Sequence, residues 1–272
     1  MRHVLLELSF VGTAYHGWQV QDNAVSVQRT VQDAIERITG VRAGLTGCSR
    51  TDAGVHARRF FCAFFTESAI PAAQLPRALT AVLPFDVAVR RAWEVPASFH
   101  PRYSVAQKEY AYLIHNAPQR DPFLHERAWE YRPPLDAERM QAQGQAFLGK
   151  QDFAAFCAAG SSVRDTVRTV TNLTVERRGD LVELRVRADG FLYNMVRIIV
   201  GTLVSFGAGE TRLAPVEEIL ASRDRRRSGP TAPACGLYLD RVWYAPEWET
   251  AGVPVQRPEE NERTAEGETD RR

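Results

Sequence analysis

Apolar and polar positions alternate with a period of two along several short segments of the chain, and with a period near 3.6 along a few longer ones. Val4 to Phe10 sets Leu6, Leu8 and Phe10 against Leu5, Glu7 and Ser9, which predicts a strand. A Gly-rich loop with Gly12, Tyr15, Gly17 and Trp18 follows. Ser26 can cap a helix carrying Val27, Val31, Ala34, Ile35 and Ile38, and Gly40 stands where a helix stops. Val41 to Leu45 reads as a short strand and Thr46 to Ala57 as a polar loop. Phe60 to Phe65 is a continuous apolar, aromatic run, the pattern of a strand buried on both faces. A helix over Ala72 to Leu83, disturbed by Pro76, and a strand over Val87 to Trp93 complete this part.

Pro96 to Ser104 breaks the pattern and is the natural boundary. Beyond it, Glu109 to Asn116 alternates Tyr110, Tyr112 and Ile114 against Ala111, Leu113 and His115. A helix is predicted over Ala137 to Leu148, and strands over Val167 to Arg177 and Leu181 to Arg187. Met195, Ile198, Ile199, Thr202, Leu203 and Phe206 follow helical spacing and predict a core helix. A short helix over Val216 to Ala221 and a strand over Leu237 to Trp243 end the pattern. Each half thus reads roughly β-α-β-β-α-β, an α+β order in which helices cover one face of an antiparallel sheet. The division expected is 1–105, 106–248 and a polar tail, 249–272, expected to be disordered.

Composition adds limits. The 272 residues, 44% hydrophobic and 25% charged, suit a soluble globular protein and exclude a wholly disordered or collagen-like chain. The longest apolar stretch, Phe191 to Ala208, is interrupted by Asn194 and Arg197, too polar for a membrane span. The opening Met1 to Phe10 carries Glu7 and lacks a signal-peptide layout, so a cytoplasmic protein is expected. Cys48, Cys62, Cys157 and Cys235 form no C-x-x-C pair and read as reduced thiols. The net charge of +1 hides an excess of three basic residues in 1–105 and of two acidic ones in 256–272. That is too mild to announce a nucleic-acid binder. Arg223, Arg225, Arg226 and Arg227 suit either a phosphate backbone or a solvated loop.

There is no G-x-x-x-x-G-K-[ST], G-x-G-x-x-G or H-E-x-x-H. What remains is Gly47-Cys48-Ser49-Arg50-Thr51-Asp52-Ala53-Gly54-Val55-His56-Ala57, a polar loop between apolar strands. Loops held by a rigid sheet commonly carry reactive groups. Spacing alone leaves Asp52 open between a catalytic carboxylate and a turn residue.

This loop closely resembles the G-x-x-R-T-D-x-G-V-H-A motif of the TruA family of tRNA pseudouridine synthases. Further matches follow in family order: Val27-Gln28, Phe99-His100 with Arg102-Tyr103-Ser104, Lys108-Glu109-Tyr110-Ala111-Tyr112, Asp152-Phe153, the run from Phe191 to Thr202, and Gly236-Leu237-Tyr238-Leu239. The resemblance covers about residues 3–245. It departs at Ser49, where many members have Gly, and at Arg58-Arg59-Phe60, which replaces a short Gly-Gln stretch.

The resemblance implies two ferredoxin-like halves joined in one extended, mainly antiparallel sheet, with helices on one face and a cleft between the halves. It implies isomerisation of uridine to pseudouridine at positions 38, 39 and 40 of the tRNA anticodon arm. No redox cofactor, ATP or metal is implied, because substrate and product share one formula. Asp52 becomes the catalytic aspartate, and Arg197 the arginine that pairs with it and holds its pKa down. Tyr110 stacks on the target uracil and helps move the C5 proton. Leu237 forms the other wall of the pocket. Arg50 fills the stack or grips the backbone when the nucleotide flips out. His56 supports the loop. Phe99 and His100 are open between RNA contact and a structural turn. The partners implied are tRNA and a second copy of the chain, as a homodimer. Two other readings stand beside this one: an RNA-binding relative without catalysis, and a hydrolase using Asp52 and His56.

Overall fold

A computed structural model describes residues 1–160 and 163–253. In chain order they form β1 (Arg2–Phe10), α1 (Val27–Thr39), β2 (Thr46–Gly47), β3 (His56–Thr66), α2 (Leu75–Thr80), β4 (Val87–Glu94), β5 (Val105–His115), β6 (Trp129–Glu130), α3 (Ala137–Gly144), β7 (Gly149–Asp152), β8 (Val167–Arg178), β9 (Leu181–Ala188), α4 (Met195–Gly207), α5 (Val216–Ser222) and β10 (Leu237–Tyr244). All ten strands share one sheet, mostly antiparallel, in the order β4-β1-β3-β10-β5-β9-β8-β7, with β2 paired to β3 and β6 to β5.

The order repeats across the two halves. In the first, β2 lies beside β3, giving β4-β1-β3-β2; in the second, β10-β5-β9-β8 follows the same pattern. This is the split-βαβ arrangement that the element order predicts. The halves meet where β3 and β10 run parallel, through the pairs Tyr238 with His56 and Leu239 with Ala57.

Local chemistry sets the elements. Ser26 Oγ accepts the Arg29 N–H at 3.3 Å, and Gly40 closes α1 with φ +76°. Pro76 sits in the first turn of α2, where a missing N–H costs nothing. The helix expected over 72–83 is accordingly shorter, with a 3-10 turn before it. The strand expected at Val41 to Leu45 does not form. Gln32 Nε2 and Gln28 Nε2 of α1 donate to the carbonyls of Ala43 and Leu45 at 3.0 and 2.7 Å, taking the place of a strand ladder. The two-residue β2 follows instead.

The two faces of the sheet differ in kind. Register aligns Tyr110, Val186 and Leu173 across β5, β9 and β8. Leu173 of this face packs against Gly144 of α3, which also nears Leu203 of α4. The opposite face aligns Glu109, Arg187 and Asn172. There Glu109, 2% exposed, accepts from Arg187 Nε and Nη2 at 3.0 and 2.9 Å. Asp240 accepts from Arg58 and Arg185 at 2.9 and 2.7 Å. Arg187 also lies over the Trp243 ring, and Arg58 over Tyr238. Of the Arg58-Arg59-Phe60 departure, the two arginines therefore lie on the polar face beside Glu7 and Ser9, whereas Phe60 is fully buried against Trp18.

Residues 249–251 end a 3-10 turn, and Trp248 within it stacks edge-on against Phe99. The rest of the tail, 254–272, lies outside the described residues.

Candidate active site

Because β3 and β10 are parallel, the segments entering them lie side by side. One is the loop carrying Asp52; the other leads to Leu237. Two buttresses hold the Asp52 loop. From the Gly-rich loop, Trp18 N–H donates to Thr51 O at 3.1 Å, and Tyr15 O accepts the Gly54 N–H at 3.1 Å. This approach is so close that a Cβ at Gly12 would sit 2.0 Å from Val55 O. From the second half, Cys235 O lies 3.0 Å from Nε2 of the fully buried His56, whose Nδ1 accepts the Gly12 N–H at 3.0 Å. The bond at Nδ1 fixes the proton on Nε2. Burial pushes the His56 pKa down, so the ring is a neutral strut. It is committed to backbone groups on both sides, which removes it as a partner for Asp52 in a hydrolase.

Arg197 comes from the first turn of α4. Its Nε donates to Ala232 O at 2.7 Å and its Nη1 to Asn194 Oδ1 at 2.9 Å. The same Nη1 lies 3.5 Å from Asp52 Oδ2. The two side chains, 145 residues apart, thus meet across the join between the halves. The pair is partly enclosed, with side-chain exposures of 27% for Asp52 and 18% for Arg197. The electrostatics correct one expectation. Arg197 lowers the Asp52 pKa, but burial raises it by more, and the net shift is upward. Thr51 Oγ1, next in sequence, is buried without a hydrogen-bond partner.

A cavity of about 370 Å³ opens beside the pair, lined by Arg50, Asp52, Tyr110, Phe191, Arg197 and Leu237, with Ser49, Arg102 and Lys108 also on its wall. That size suits a single nucleoside. Tyr110 is buried, with Phe191 edge-on at 5.0 Å between ring centroids. Its hydroxyl lies 3.2 Å from Ser49 Oγ. Arg50 is exposed on the cavity wall. The five residues that the resemblance assigns to catalysis or substrate contact, Arg50, Asp52, Tyr110, Arg197 and Leu237, therefore line one cavity. Among the described residues, no three His, Cys, Asp or Glu side chains converge to hold a metal ion.

Asn194, Phe191, Ser49 and Lys108 join this wall without a role assigned from sequence. Asn194 was legible only as part of a long matched run; its left-handed backbone, φ +58°, turns its amide toward Arg197. Phe99, 2% exposed, packs against Tyr244 and Trp248, and His100 Nδ1 accepts the N–H groups of Arg102 and Tyr103. These two residues build a turn. The arginine run is tied down locally, Arg225 to Ser228, Gly229 O and Thr231, and Arg226 to Asp224.

Comparison with known proteins places the chain in a family. The tRNA pseudouridine synthase family profile matches residues 8–104 and 144–245. The chain is 46% identical over 244 residues to tRNA pseudouridine synthase A of Thermoanaerobacter sp. strain X514, covering 90% of this chain and all of the relative. Its counterparts in Acetivibrio thermocellus and Brevibacillus brevis are also 46% identical, with the same coverage. On a profile match in both halves and relatives 46% identical over 90% of its length, the chain belongs to the tRNA pseudouridine synthase family, isomerases that convert uridine in tRNA to pseudouridine.

Proposed function

We propose that the protein isomerises uridines at positions 38, 39 and 40 of the tRNA anticodon arm, with Asp52 as the reacting carboxylate. The observation that carries this reading is the Asp52–Arg197 pair at 3.5 Å, drawn from opposite halves and opening on a cavity of nucleoside size. The target nucleotide leaves the stem and enters this cavity. Tyr110 and Leu237 flank the base, and Arg50 contacts the nucleic acid at the opening. The N1–C1′ bond breaks, the uracil turns, C5 bonds to C1′, C5 loses its proton and N1 gains one. Atoms and electrons balance without a redox cofactor, ATP or metal. A carboxylate in this position acts as nucleophile or base.

Arg50, Arg102 and Arg197 outnumber Asp52 around the cavity, a charge balance suited to a polyanion. We further propose a cytoplasmic homodimer, with the chain divided into functional halves at 105/106. No described helix is long and apolar enough to cross a membrane.

Pseudouridine mapping of bulk tRNA from cells with and without the protein tests the substrate. Loss of pseudouridine at 38–40 is expected; unchanged signal there overturns the proposal. Purified Asp52→Ala should bind tRNA within a few-fold of wild type and turn none over. Native mass measurement tests the dimer.

A further inference from the structure

Three polar groups form a row along the cavity wall. Tyr110 Oη lies 3.2 Å from Ser49 Oγ, and Lys108 Nζ lies 3.5 Å from the same oxygen. Lys108 and Tyr110 are two apart on β5 and share one face of the sheet, while Ser49 reaches over from the Asp52 loop.

We propose that Ser49 and Lys108 form a proton relay that draws off, through the Tyr110 hydroxyl, the proton released from C5 of the turned uracil. The proposal rests on the reading of Tyr110 as the residue against the target base.

The chemistry explains why a relay is needed. Burial raises the Tyr110 pKa above its ordinary value, so the phenol is neutral at working pH. A neutral phenol oxygen takes a proton only as it loses its own. Among the described residues, the partner of this hydroxyl is Ser49, another neutral hydroxyl. The row ends at Lys108, whose amine holds a free lone pair once deprotonated. Burial lowers the Lys108 pKa, and the nearby Arg102 charge lowers it further. Cys48 would oppose this only as a thiolate, and burial pushes its pKa up to about 11. On either side of Lys108, β10 and β9 present Val242 and Ala188, which carry no charge. Asp52 acts electrostatically on Tyr110, in the direction that keeps the phenol protonated.

In the step itself the C5–H bond breaks and its electron pair returns to the ring. Tyr110 Oη takes that proton and releases its own to Ser49, which releases its own to Lys108 in the form whose amine is deprotonated. The pyrimidine anion takes a proton from water at N1, and the ammonium returns its proton to solvent. One proton has moved from C5 to N1, and nothing is oxidised or reduced. The 3.5 Å contact lies at the outer edge of a hydrogen bond, as catalytic contacts often do before substrate binds.

The alternative for Lys108 is a fixed cation that grips RNA, and the test separates the two. Full-length protein in excess is reacted in single turnover with an anticodon-arm RNA carrying ordinary or 5-deuterated uridine at the target. Lys108→Met and Lys108→Arg are both expected to slow the reaction about 100-fold, with RNA affinity within a few-fold and a deuterium effect larger than that of wild type. Arg keeps the charge but does not release its proton, so it should not rescue. Ser49→Ala should behave like Lys108→Met, and carries the test if a Lys108 variant fails to fold. Wild-type rates in Lys108→Arg, or slower variants without a larger deuterium effect, overturn the relay. If wild type makes no pseudouridine in this RNA, the proposed function itself has failed; if only the variants are unaffected, the relay alone has failed.

Discussion

Replacing Asp52 by Asn should destroy activity and raise stability, and the rise should depend on pH in one direction only. The pair with Arg197 spans 3.5 Å, which at an effective permittivity of about 20 is a gross attraction of about 5 kcal/mol. Against it stands the cost of withdrawing a carboxylate from water, several kcal/mol after relaxation. These terms nearly cancel, and the direction of the Asp52 pKa decides between them. It is raised, so burial outweighs the cation and the ionised acid destabilises the fold. A carboxyl with a raised folded pKa contributes fully below its unfolded value of 3.8, and that contribution is lost as pH rises through the folded value. Asn does not titrate. It keeps Arg197 bonded to Ala232 O and Asn194 and removes the buried charge.

The expected gain at pH 7.5 is about 0.5–2 kcal/mol, the usual yield of relieving a functional strain. For a chain of this size each kcal/mol moves Tm by about 2–4 °C. Thermal melts at pH 7.5 and near pH 4 read both quantities, and pseudouridine formation reads the activity. The advantage of Asn should shrink as pH falls. A variant less stable than wild type at pH 7.5, or one whose advantage grows toward pH 4, refutes the balance drawn here.

Arg197→Met acts on the other partner and has the opposite sign. It leaves a partly buried carboxylate uncompensated and should cost about 1–3 kcal/mol in urea unfolding, less than a fully buried pair because Asp52 keeps some solvent; adding Asp52→Asn should recover much of it. His56→Ala removes both ring hydrogen bonds, from Gly12 N–H and to Cys235 O, and should cost about 2–4 kcal/mol at neutral pH. Wild-type stability should fall as pH drops below the unfolded histidine value of 6.5, because the folded ring resists protonation, and the variant should lack that slope. Gly201→Ala puts a Cβ 1.8 Å from Pro230 O, so the strand of chain that holds Arg197 through Ala232 must move. A loss of about 1–3 kcal/mol should come with loss of turnover, read by melts and by single-turnover rates. Arg50→Ala should weaken tRNA binding and flatten the slope of log affinity against log salt by about one unit; an unchanged slope would remove Arg50 from the RNA path.

The parts of this protein legible in sequence are those whose signal is local. The cap at Ser26, the apolar face of α1 and the stop at Gly40 lie within fifteen residues, and the helix forms there. The alternation of β9 matches its burial residue by residue. Signals fail where the partner is remote. Val41 to Leu45 has strand composition, but two glutamines of α1 take its carbonyls. Gly149 to Asp152 has no alternation, yet β8 supplies a ladder for it. The same division holds in the site. Asp52 and Arg50 share one motif, and an arginine inside an apolar helix must have a partner. Lys108 and Asn194 become informative only when folding sets them beside Ser49 and Arg197. The upward shift of the Asp52 pKa needs the depth of the cavity, which no spacing encodes.

Geometry at this site is held by hydrogen bonds to backbone and amide groups, and the Asp52–Arg197 contact is left for chemistry. The Asp52–Arg197 contact is long and lacks the bidentate form that gives such pairs their directional strength. It is too weak to position either group. Arg197 is positioned by a backbone carbonyl and an amide, and the Asp52 loop by backbone bonds to Tyr15, Trp18 and, through a neutral imidazole, the segment entering β10. An acid placed this way is not locked into its own ion pair and can exchange the guanidinium for a sugar or base atom when substrate enters. The parallel pairing of β3 and β10, only two residue pairs long, is enough because His56 and the Arg58–Asp240 bond tie the same seam from the loop side and the polar face. Loosening the seam should therefore reduce the rate before it reduces the fold, since a shift of about 1 Å between reacting groups costs about 100-fold.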